Sequence, residues 1–273
     1  MKSLIKDYKS WLFNNRNTAL FNCEIGECSC EIFHLLAPIL HDIGLIRSYN
    51  SYDSEIRKIT SGIILGPNET NILVAGIDSE LSARALIQAL GVFERKYSIT
   101  FLDCCPTPLL RIKESLEEHE KEYIETKLID IFSPLANQLH SKFDIIFADS
   151  FIKQFSKAKK TEVLKILSNT AKTSNSLIII REFLGDLDEL LPRLWKQLDH
   201  LLNQKNFSFL TSPSDLKKFY LLINRLDEYY KNTGEIYRNP EELKSDLRAS
   251  GLQLVEEYFS EGRADRIIVA QRL

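Results

Sequence analysis

The segment from Asn71 to Leu116 constrains the fold of this chain more than any other part of the sequence. It contains a short apolar stretch, a turn, a helix-like stretch and a second apolar stretch that ends at Asp103. This order is typical of the first half of a doubly wound α/β sheet, where an acid about 20 residues after the first turn binds the ribose hydroxyls of an adenosine-type ligand. A phosphate-binding turn carries several glycines, but this turn has only Gly76. The segment therefore favours a ligand that contains adenosine and lacks a pyrophosphate.

The length and charge of the chain limit its class. A chain of 273 residues can form one α/β domain with a cap, or two small domains. Its net charge of −3 gives no general attraction to nucleic acid or to an anionic membrane. No apolar run approaches the roughly 20 residues of a membrane-spanning helix, and no signal-type core follows the start of the chain. We expect a cytoplasmic protein without nucleic-acid or membrane partners, and the sequence does not indicate its oligomeric state.

The five cysteines, an odd number, agree with a reducing compartment. Cys23, Cys28 and Cys30 are close in sequence, but no fourth cysteine or nearby histidine completes a tetrahedral zinc set. We interpret them as buried or incidental thiols and expect no metal site. His34 lies on an apolar helix face, where a lone histidine is more often a packed residue than a catalytic one.

The pattern of apolar residues divides the chain into two regions. Residues 1–65 have helical spacing and are predicted to form an N-terminal helical region. Residues 66–273 alternate short β-type stretches with helical ones, which indicates a parallel sheet with crossover helices. The predicted strands are Ile72–Gly76, Ser98–Leu102, Ile124–Asp130, Phe143–Ala148, Ser176–Ile180, Leu252–Phe259 and Arg266–Arg272. The predicted helices between them include Ser79–Val92, Thr107–Glu120, Thr161–Ala171 and Pro240–Ser250.

The end of the chain predicts an antiparallel hairpin. The last two strands are joined by Ser260–Asp265, which is too short for a crossover connection. The expected fold is therefore a doubly wound, seven-stranded, mostly parallel α/β sheet with a terminal antiparallel hairpin. The charged run Lys153–Lys160 is interpreted as the solvated face of a helix.

A helical cap is predicted at about residues 184–238, over the carboxyl edge of the sheet. Its aromatic side chains suit either an acceptor pocket or ordinary helix packing. They are Phe219, Tyr220, Tyr229, Tyr230 and Tyr237.

Two motifs resemble those of the class I S-adenosylmethionine-dependent methyltransferases. The stretch ILVAGIDSE is similar to the family's first strand and glycine-rich loop, with Gly76 at the first glycine and Asp78 and Glu80 in place of the others. The stretch ITFLDCCPTPLL is similar to a subset of the family with D-x-C-x-T-P-L at the end of the second strand. The acid of that motif corresponds to Asp103. The predicted terminal hairpin agrees with this resemblance, because such a hairpin distinguishes methyltransferase-type sheets from NAD-binding ones.

The resemblance implies a set of residues that bind S-adenosylmethionine. Asp103 would accept hydrogen bonds from the ribose hydroxyls; the alternatives are a loop acid or a helix cap. Asp130 would receive the adenine amino group, or else it begins the turn towards Ser133. Thr107 and Pro108 more simply start the next helix, as its cap and first residue. The full predicted set is Gly76, Ile77, Asp78, Ser79, Asp103, Cys104, Asp130, Ile131, Phe132, Asp149 and Ser150.

The function implied by the resemblance is methyl transfer from S-adenosylmethionine to a small organic molecule. The alternative is a methyltransferase-like protein that does not transfer methyl groups and acts as a binding or assembly partner. A NAD-dependent oxidoreductase would also have the acid that binds the ribose. The single glycine of the first loop and the predicted terminal hairpin both argue against this class of enzyme. No catalytic residue is assigned, because methyl transfer from a sulfonium needs mainly positioning and exclusion of water. If the methyl acceptor is a hydroxyl or an ammonium group, a base must take its proton, and the candidates are His41, His140, His200, Tyr220 and Glu182.

Overall fold

The computed structural model describes most of the predicted α/β region. Described are residues 53–64, 69–91, 97–149, 151–185, 236–259 and 265–273, with residue 30, residues 34–36 and scattered residues between 192 and 228. The predicted N-terminal helical region and the predicted cap fall largely outside this set and stay predictions. Residue 150 and the turn at residues 260–264 also lie outside it.

Helices and strands alternate along the chain as the sequence predicts. The strands are β1 Thr70–Ala75, β2 Tyr97–Asp103, β3 Ile124–Leu128, β4 Ile145–Asp149, β5 Leu177–Phe183, β6 Leu252–Phe259 and β7 Asp265–Arg272. The helices are α1 Asp53–Ile64, α2 Glu80–Leu90, α3 Pro106–Ser115, α4 Lys157–Thr170 and α5 Pro240–Ala249. Short 3-10 turns occur at Glu120–Glu122, Pro134–Leu139 and Ile152–Gln154.

The seven strands form one sheet in the order β3-β2-β1-β4-β5-β7-β6. β1 pairs in parallel with both β2 and β4, so Val74 lies beside Phe101 on one side and Phe147 on the other. β7 is antiparallel to both β5 and β6. The predicted seven-stranded sheet with its terminal antiparallel hairpin is confirmed. The strand order reverses between β1 and β4, and ligands of such sheets bind at this point, outside the carboxyl ends of the strands.

The sheet has a hydrophobic core on each face. Alternate residues of β1 point to opposite sides, so Ile72 and Val74 join one core while Leu73 and Ala75 join the other. The first core also includes apolar residues of α1, α2 and α3, and the second includes those of α4 and α5. Helices therefore cover both faces, which explains why the central strands are apolar throughout.

The predicted start of the third helix is wrong. Helix α3 begins one residue before Thr107, at Pro106, and its N-cap is Cys105 in an extended conformation. The missing N–H of Pro106 suits the first helical position, so Thr107 is not the cap.

The run Lys153–Lys160 is not uniformly a solvated face. Residues 157–159 are exposed, but Lys153 and Lys160 are buried. The Lys160 ammonium lies 4.0 Å from the centroid of the Tyr237 ring. This cation–π contact gives a buried cation a partner that sequence spacing does not reveal.

Candidate functional site

The candidate site lies at the carboxyl ends of β1, β2 and β4. Because β1 runs between β2 and β4, the residues that follow these strands meet at one edge of the sheet. They include the loop at Gly76, the acid Asp103 at the end of β2 and Asp149 at the end of β4. The sequence prediction of a shared crevice is consistent with this arrangement.

Gly76 begins the loop after β1. Its N–H donates to the carbonyl oxygen of Leu102 at 2.8 Å, which holds the loop against the end of β2. Its φ of 72° lies in the left-handed region, which side chains rarely adopt. A Cβ atom at this position would lie 2.3 Å from Cδ2 of Phe151. Glycine is therefore required both by the backbone and by an aromatic ring that packs directly on it.

Asp103 is held by two backbone amides. Its Oδ2 accepts from the N–H of Ile77 at 3.1 Å, and its Oδ1 accepts from the N–H of Cys105 at 2.7 Å. One amide belongs to the loop after β1 and the other to the start of α3, so the carboxylate ties these two loops together. Each carboxylate oxygen can accept more than one hydrogen bond, which leaves capacity for ligand hydroxyls.

The positions of the missing glycines are occupied by Asp78 and Glu80. Ser79, between them, caps α2 by accepting from the N–H of Ser82 at 3.3 Å, and it also donates to Oδ1 of Asp78 at 3.3 Å. Burial lowers the pKa of Lys153, and the negative charge of Asp78 weakly opposes this shift, so a cation lies in the neighbourhood of the loop acid.

The loop after β3 is shaped by Asp130. Its Oδ1 accepts from the N–H of Phe132 at 3.0 Å, and its carbonyl accepts from Ser133 at 2.9 Å. The turn that the sequence left as an alternative is therefore present, and the exposed carboxylate is part of it. Ile131 is buried.

Three aromatic rings cluster beside this loop. Phe155 makes edge contacts with Phe132 at 5.5 Å and with Phe151 at 5.1 Å between ring centroids. All three rings pack against the core of the second face and remain partly accessible. Cys104, after β2, is exposed.

A group of buried charges lies at the ends of β4 and β5. Asp149 forms a two-point ion pair with Arg181, its direct neighbour on β5. Next to Arg181, Glu182 accepts from the backbone N–H of Ile152 at 2.9 Å and of Lys153 at 3.3 Å. No donor in the described part of the chain lies within hydrogen-bond distance of its second oxygen, Oε2.

These charges have perturbed acidities. Burial raises the pKa of Glu182 to about 7, although the positive charge of Lys153 acts to lower it. Burial lowers the pKa of Lys153 to about 8, although the negative charges of Glu182 and Asp149 act to raise it. A carboxyl group with a pKa near neutrality can exchange a proton at physiological pH, which is the property a general base needs.

The structure distinguishes among the base candidates. Glu182 is buried at the carboxyl edge, whereas His140 and His200 are exposed. Tyr220 is 37% exposed, and His41 lies outside the described residues. Ser150, which was predicted to bind the cofactor, also lies outside them. Of the predicted cap aromatics, Tyr237 is buried and its hydroxyl donates to Oδ2 of Asp246 at 3.1 Å, which indicates a packing role.

Sequence reasoning missed Lys153 and Arg181 as members of the site. The available signal was the charged pair Arg181–Glu182, which directly follows four apolar residues of a central strand. Charges at that position lie at the carboxyl end of the strand, next to the crevice.

The sequence matches no protein-family model and no curated protein. Solved structures, however, share the fold. A magnesium protoporphyrin IX methyltransferase from Synechocystis PCC 6803, with bound S-adenosylhomocysteine, is 11% identical with a TM-score of 0.50. The match covers 82% of this chain and 84% of that one. The sheet order and this likeness decide the fold class.

The chain has the class I methyltransferase fold. A second structure with this likeness is an O-methyltransferase family 2 protein from Planctomyces limnophilus in complex with apigenin, 12% identical with a TM-score of 0.52. It is matched over 100% of this chain, which spans 63% of that protein, less than two thirds of its length.

A third similar structure carries a different name. It is a protein from Rhodobacter sphaeroides named as a candidate zinc-dependent alcohol dehydrogenase, 16% identical with a TM-score of 0.53, over 84% of this chain and 99% of that one. Identities this low establish the fold alone. Among the described residues, no helix combines the length and apolar character needed to cross a membrane.

Proposed function

We propose that this protein is an S-adenosylmethionine-dependent methyltransferase that acts on a small organic molecule. The observation that carries the proposal is the carboxylate of Asp103, which the amides of Ile77 and Cys105 hold at the end of β2, next to the strand-order reversal of a methyltransferase-type sheet. A fixed carboxylate at this place suits two vicinal ribose hydroxyls. The likeness to a methyltransferase with bound S-adenosylhomocysteine supports the same assignment.

The other residues fit the remaining parts of the cofactor. Asp130 and Ile131 would meet the adenine ring, and Phe132 would lie against its face. Asp78 and Lys153 offer opposite charges, which suit the ammonium and carboxylate of the methionine part. The absence of a multi-glycine loop is compatible with this ligand, because S-adenosylmethionine has no phosphate that needs a row of backbone amides.

The chemistry asked of the protein is limited. The bound sulfonium supplies an activated methyl group, so the protein must hold an acceptor in line with it and exclude water. A hydroxyl acceptor also needs a group that takes its proton. We propose Glu182 for this role, because it is buried beside the crevice with a pKa near neutrality.

Parallel calorimetric titrations with S-adenosylmethionine, S-adenosylhomocysteine and NAD⁺ test the proposal. We expect micromolar binding of the first two and none of the third. Asp103→Ala should weaken binding by roughly ten- to a hundredfold, because a charged acceptor of two hydroxyls contributes about 1.5–3 kcal/mol.

Asp144→Ala is the matched control. Asp144 also accepts a backbone N–H, that of Asn71 at 2.9 Å, but it lies at the opposite edge of the sheet. Its variant should therefore bind the cofactor normally. Unchanged binding in Asp103→Ala, or preferential binding of NAD⁺, would show that the site is assigned wrongly.

A second candidate function is a methyltransferase-like protein that transfers no methyl group. The observation that favours it is the Phe151 ring on Gly76, together with carboxylates at two glycine positions of the loop. A screen of small hydroxylated and amine acceptors separates the two candidates. Formation of S-adenosylhomocysteine, lost in Glu182→Gln while binding remains, supports the enzyme; tight cofactor binding without turnover supports the alternative.

A further inference from the structure

Two thiols and an imidazole, side chains of the kinds that can bind metal ions, meet at one buried point beside the crevice. The ligand atoms of Cys30, His34 and Cys105 all lie within 4.8 Å of one another. The three residues are 8%, 4% and 1% exposed, respectively. They come from two distant parts of the chain, since Cys30 and His34 precede the sheet and Cys105 follows β2.

Local structure aligns the first two ligands. The N–H of His34 donates to the carbonyl oxygen of Cys30 at 3.2 Å, which is the spacing of one helical turn. The thiol and the imidazole lie side by side, with their ligand atoms within 4.8 Å of each other. Cys105 is the N-cap of α3 and meets them there.

The orientation of the His34 ring suits metal binding. Nδ1 lies 3.0 Å from the carbonyl oxygen of Asp78. A carbonyl only accepts hydrogen bonds, so Nδ1 carries the hydrogen, and in the neutral ring Nε2 holds the lone pair. Metal-binding histidines usually donate their other ring N–H to a carbonyl or carboxylate in this way.

The kind of ligand selects the kind of ion. Two thiols and an imidazole suit zinc and related soft or borderline ions, whereas magnesium and calcium require oxygen ligands. In a tetrahedral zinc site with Zn–S distances of about 2.3 Å, ligand atoms are about 3.8 Å apart. Ligand atoms already within 4.8 Å of one another need move by only about 1 Å to close around the ion.

The cluster is also tied to helix α3 through an arginine. The buried guanidinium of Arg111, a residue of α3, donates to the carbonyl oxygen of His34 at 3.0 Å, so the segment that carries His34 is held against the helix that Cys105 caps. Two thiolates would also neutralise the two charges of a zinc ion, which reduces the cost of burying it.

We propose that Cys30, His34 and Cys105 bind a zinc ion that fastens the N-terminal part of the chain to the crevice loops. His34 contacts the loop after β1 through Asp78, and the N–H of Cys105 donates to Asp103. The ion would therefore rigidify the two loops that carry the proposed ribose acid. Three protein ligands leave one tetrahedral position for water or a fourth residue.

Metal analysis and cobalt substitution of the full chain, purified under reducing conditions, test the proposal directly. We expect one zinc per chain by elemental mass spectrometry. Replacement by Co²⁺ should give thiolate-to-cobalt charge-transfer bands and the visible bands of tetrahedral cobalt. Protein that retains no zinc after gel filtration, or a cobalt spectrum without thiolate bands, would overturn the proposal.

The variants have matched controls in the same chain. Cys105→Ser and His34→Gln should weaken zinc binding by at least the roughly ten- to hundredfold that loss of an outer-shell partner costs. Cys104→Ser, next to Cys105 but exposed, and His119→Gln, an exposed histidine, should bind zinc as the wild type does. Equal loss in Cys104→Ser and Cys105→Ser would contradict the assignment.

Two further readouts keep the test decisive. A Cys30–Cys105 disulfide, found by mass spectrometry without reductant in freshly purified protein, would replace the zinc site and overturn the proposal. If Cys105→Ser does not fold, as judged by circular dichroism, the cobalt spectrum of the wild type and the zinc affinity of His34→Gln decide.

Discussion

Two glycines with the same backbone conformation have different surroundings. Gly76 and Gly251 both have φ of 72°. A Cβ atom on Gly76 would collide with Phe151, whereas nothing lies within 4 Å of one on Gly251. The pair therefore separates the cost of a left-handed backbone from the cost of a steric collision.

Gly251→Ala should lower the free energy of unfolding by about 1–2 kcal/mol, the cost of a left-handed residue with a Cβ. Gly76→Ala should cost roughly 1–3 kcal/mol more, because the methyl group must displace the Phe151 ring. Urea unfolding measures both. In the Phe151→Ala background, Gly76→Ala should cost only about 1–2 kcal/mol, the cost of a left-handed residue, because the collision with the ring is gone. Equal losses in the two alanine variants would show that Phe151 does not pack on Gly76.

Glu182 gives the protein a distinctive pH dependence. Burial raises its folded-state pKa to about 7, from an ordinary value of 4.5. A group with a raised pKa contributes stability that is present below the unfolded pKa and is lost as pH rises through the folded pKa. The relevant window is therefore about pH 4.5 to 7.

The stability of Glu182→Gln should accordingly rise relative to the wild type as pH increases from about 5 to 8. The amide does not ionise, and Lys153 in the variant loses a partner that raises its pKa, so it deprotonates more readily. Denaturant unfolding of both proteins at several pH values measures the difference. A difference that stays constant across this range would mean that Glu182 titrates as it does in the unfolded chain.

At the scale of elements, β4 and β5 are joined by charge as well as by backbone hydrogen bonds. Asp149 and Arg181 lie opposite each other in the parallel register, and each side chain is 10% exposed. The ion pair of Arg266 with Glu257, between β7 and β6, is more exposed, at 31% and 16%. A buried charge that loses its partner costs much more than an exposed one.

Asp149→Asn should therefore destabilise the protein by about 3–5 kcal/mol, because it removes the charge of one partner from a buried ion pair. Glu257→Gln, the control between the other two strands, should cost about 1 kcal/mol or less. Thermal or urea unfolding compares them. The double variant Asp149→Leu/Arg181→Met should recover much of the loss, since it removes both charges. Similar small losses in both single variants would contradict the burial of the first pair.

At the scale of the whole molecule, the candidate site couples the two halves of the sheet. The loops after β1, β2 and β3 lie on one side of the strand-order reversal, and those after β4 and β5 lie on the other. A ligand that contacts both sides is lost when either half unfolds. Its binding should therefore stabilise the whole sheet by mass action.

S-adenosylhomocysteine at about 100 times its dissociation constant should add about 2.7 kcal/mol and raise the melting temperature by roughly 5–10 °C. NAD⁺ should cause no shift. Differential scanning calorimetry at fixed protein concentration measures both. The shift should be retained in Asp144→Ala and strongly reduced in Asp103→Ala at the same ligand concentration. An equal shift with NAD⁺ would support the oxidoreductase interpretation.

Most of the sheet could be predicted from the sequence because the signals are local. Apolar runs bounded by turn residues predict strands such as β4 and β5, and their lack of alternation predicts helices on both faces. The short segment after Phe259 forces the last two strands to be antiparallel. The position of Asp103 at the end of β2 follows in the same way, because strand length and direction determine where the following residue lies.

The contacts of the site were decided by tertiary structure. The spacing of residues along the chain predicted that Lys153 and Lys160 are solvated, but both are buried. The partners that permit this burial are distant in sequence: Glu182 for Lys153 and Tyr237 for Lys160. The helical spacing of Cys30 and His34 was visible in the sequence, but only the fold brings Cys105 to them. Periodicity along a chain determines which side of an element a residue faces. The residue that it contacts on another element depends on how the two elements pack, and the local sequence pattern does not determine that packing.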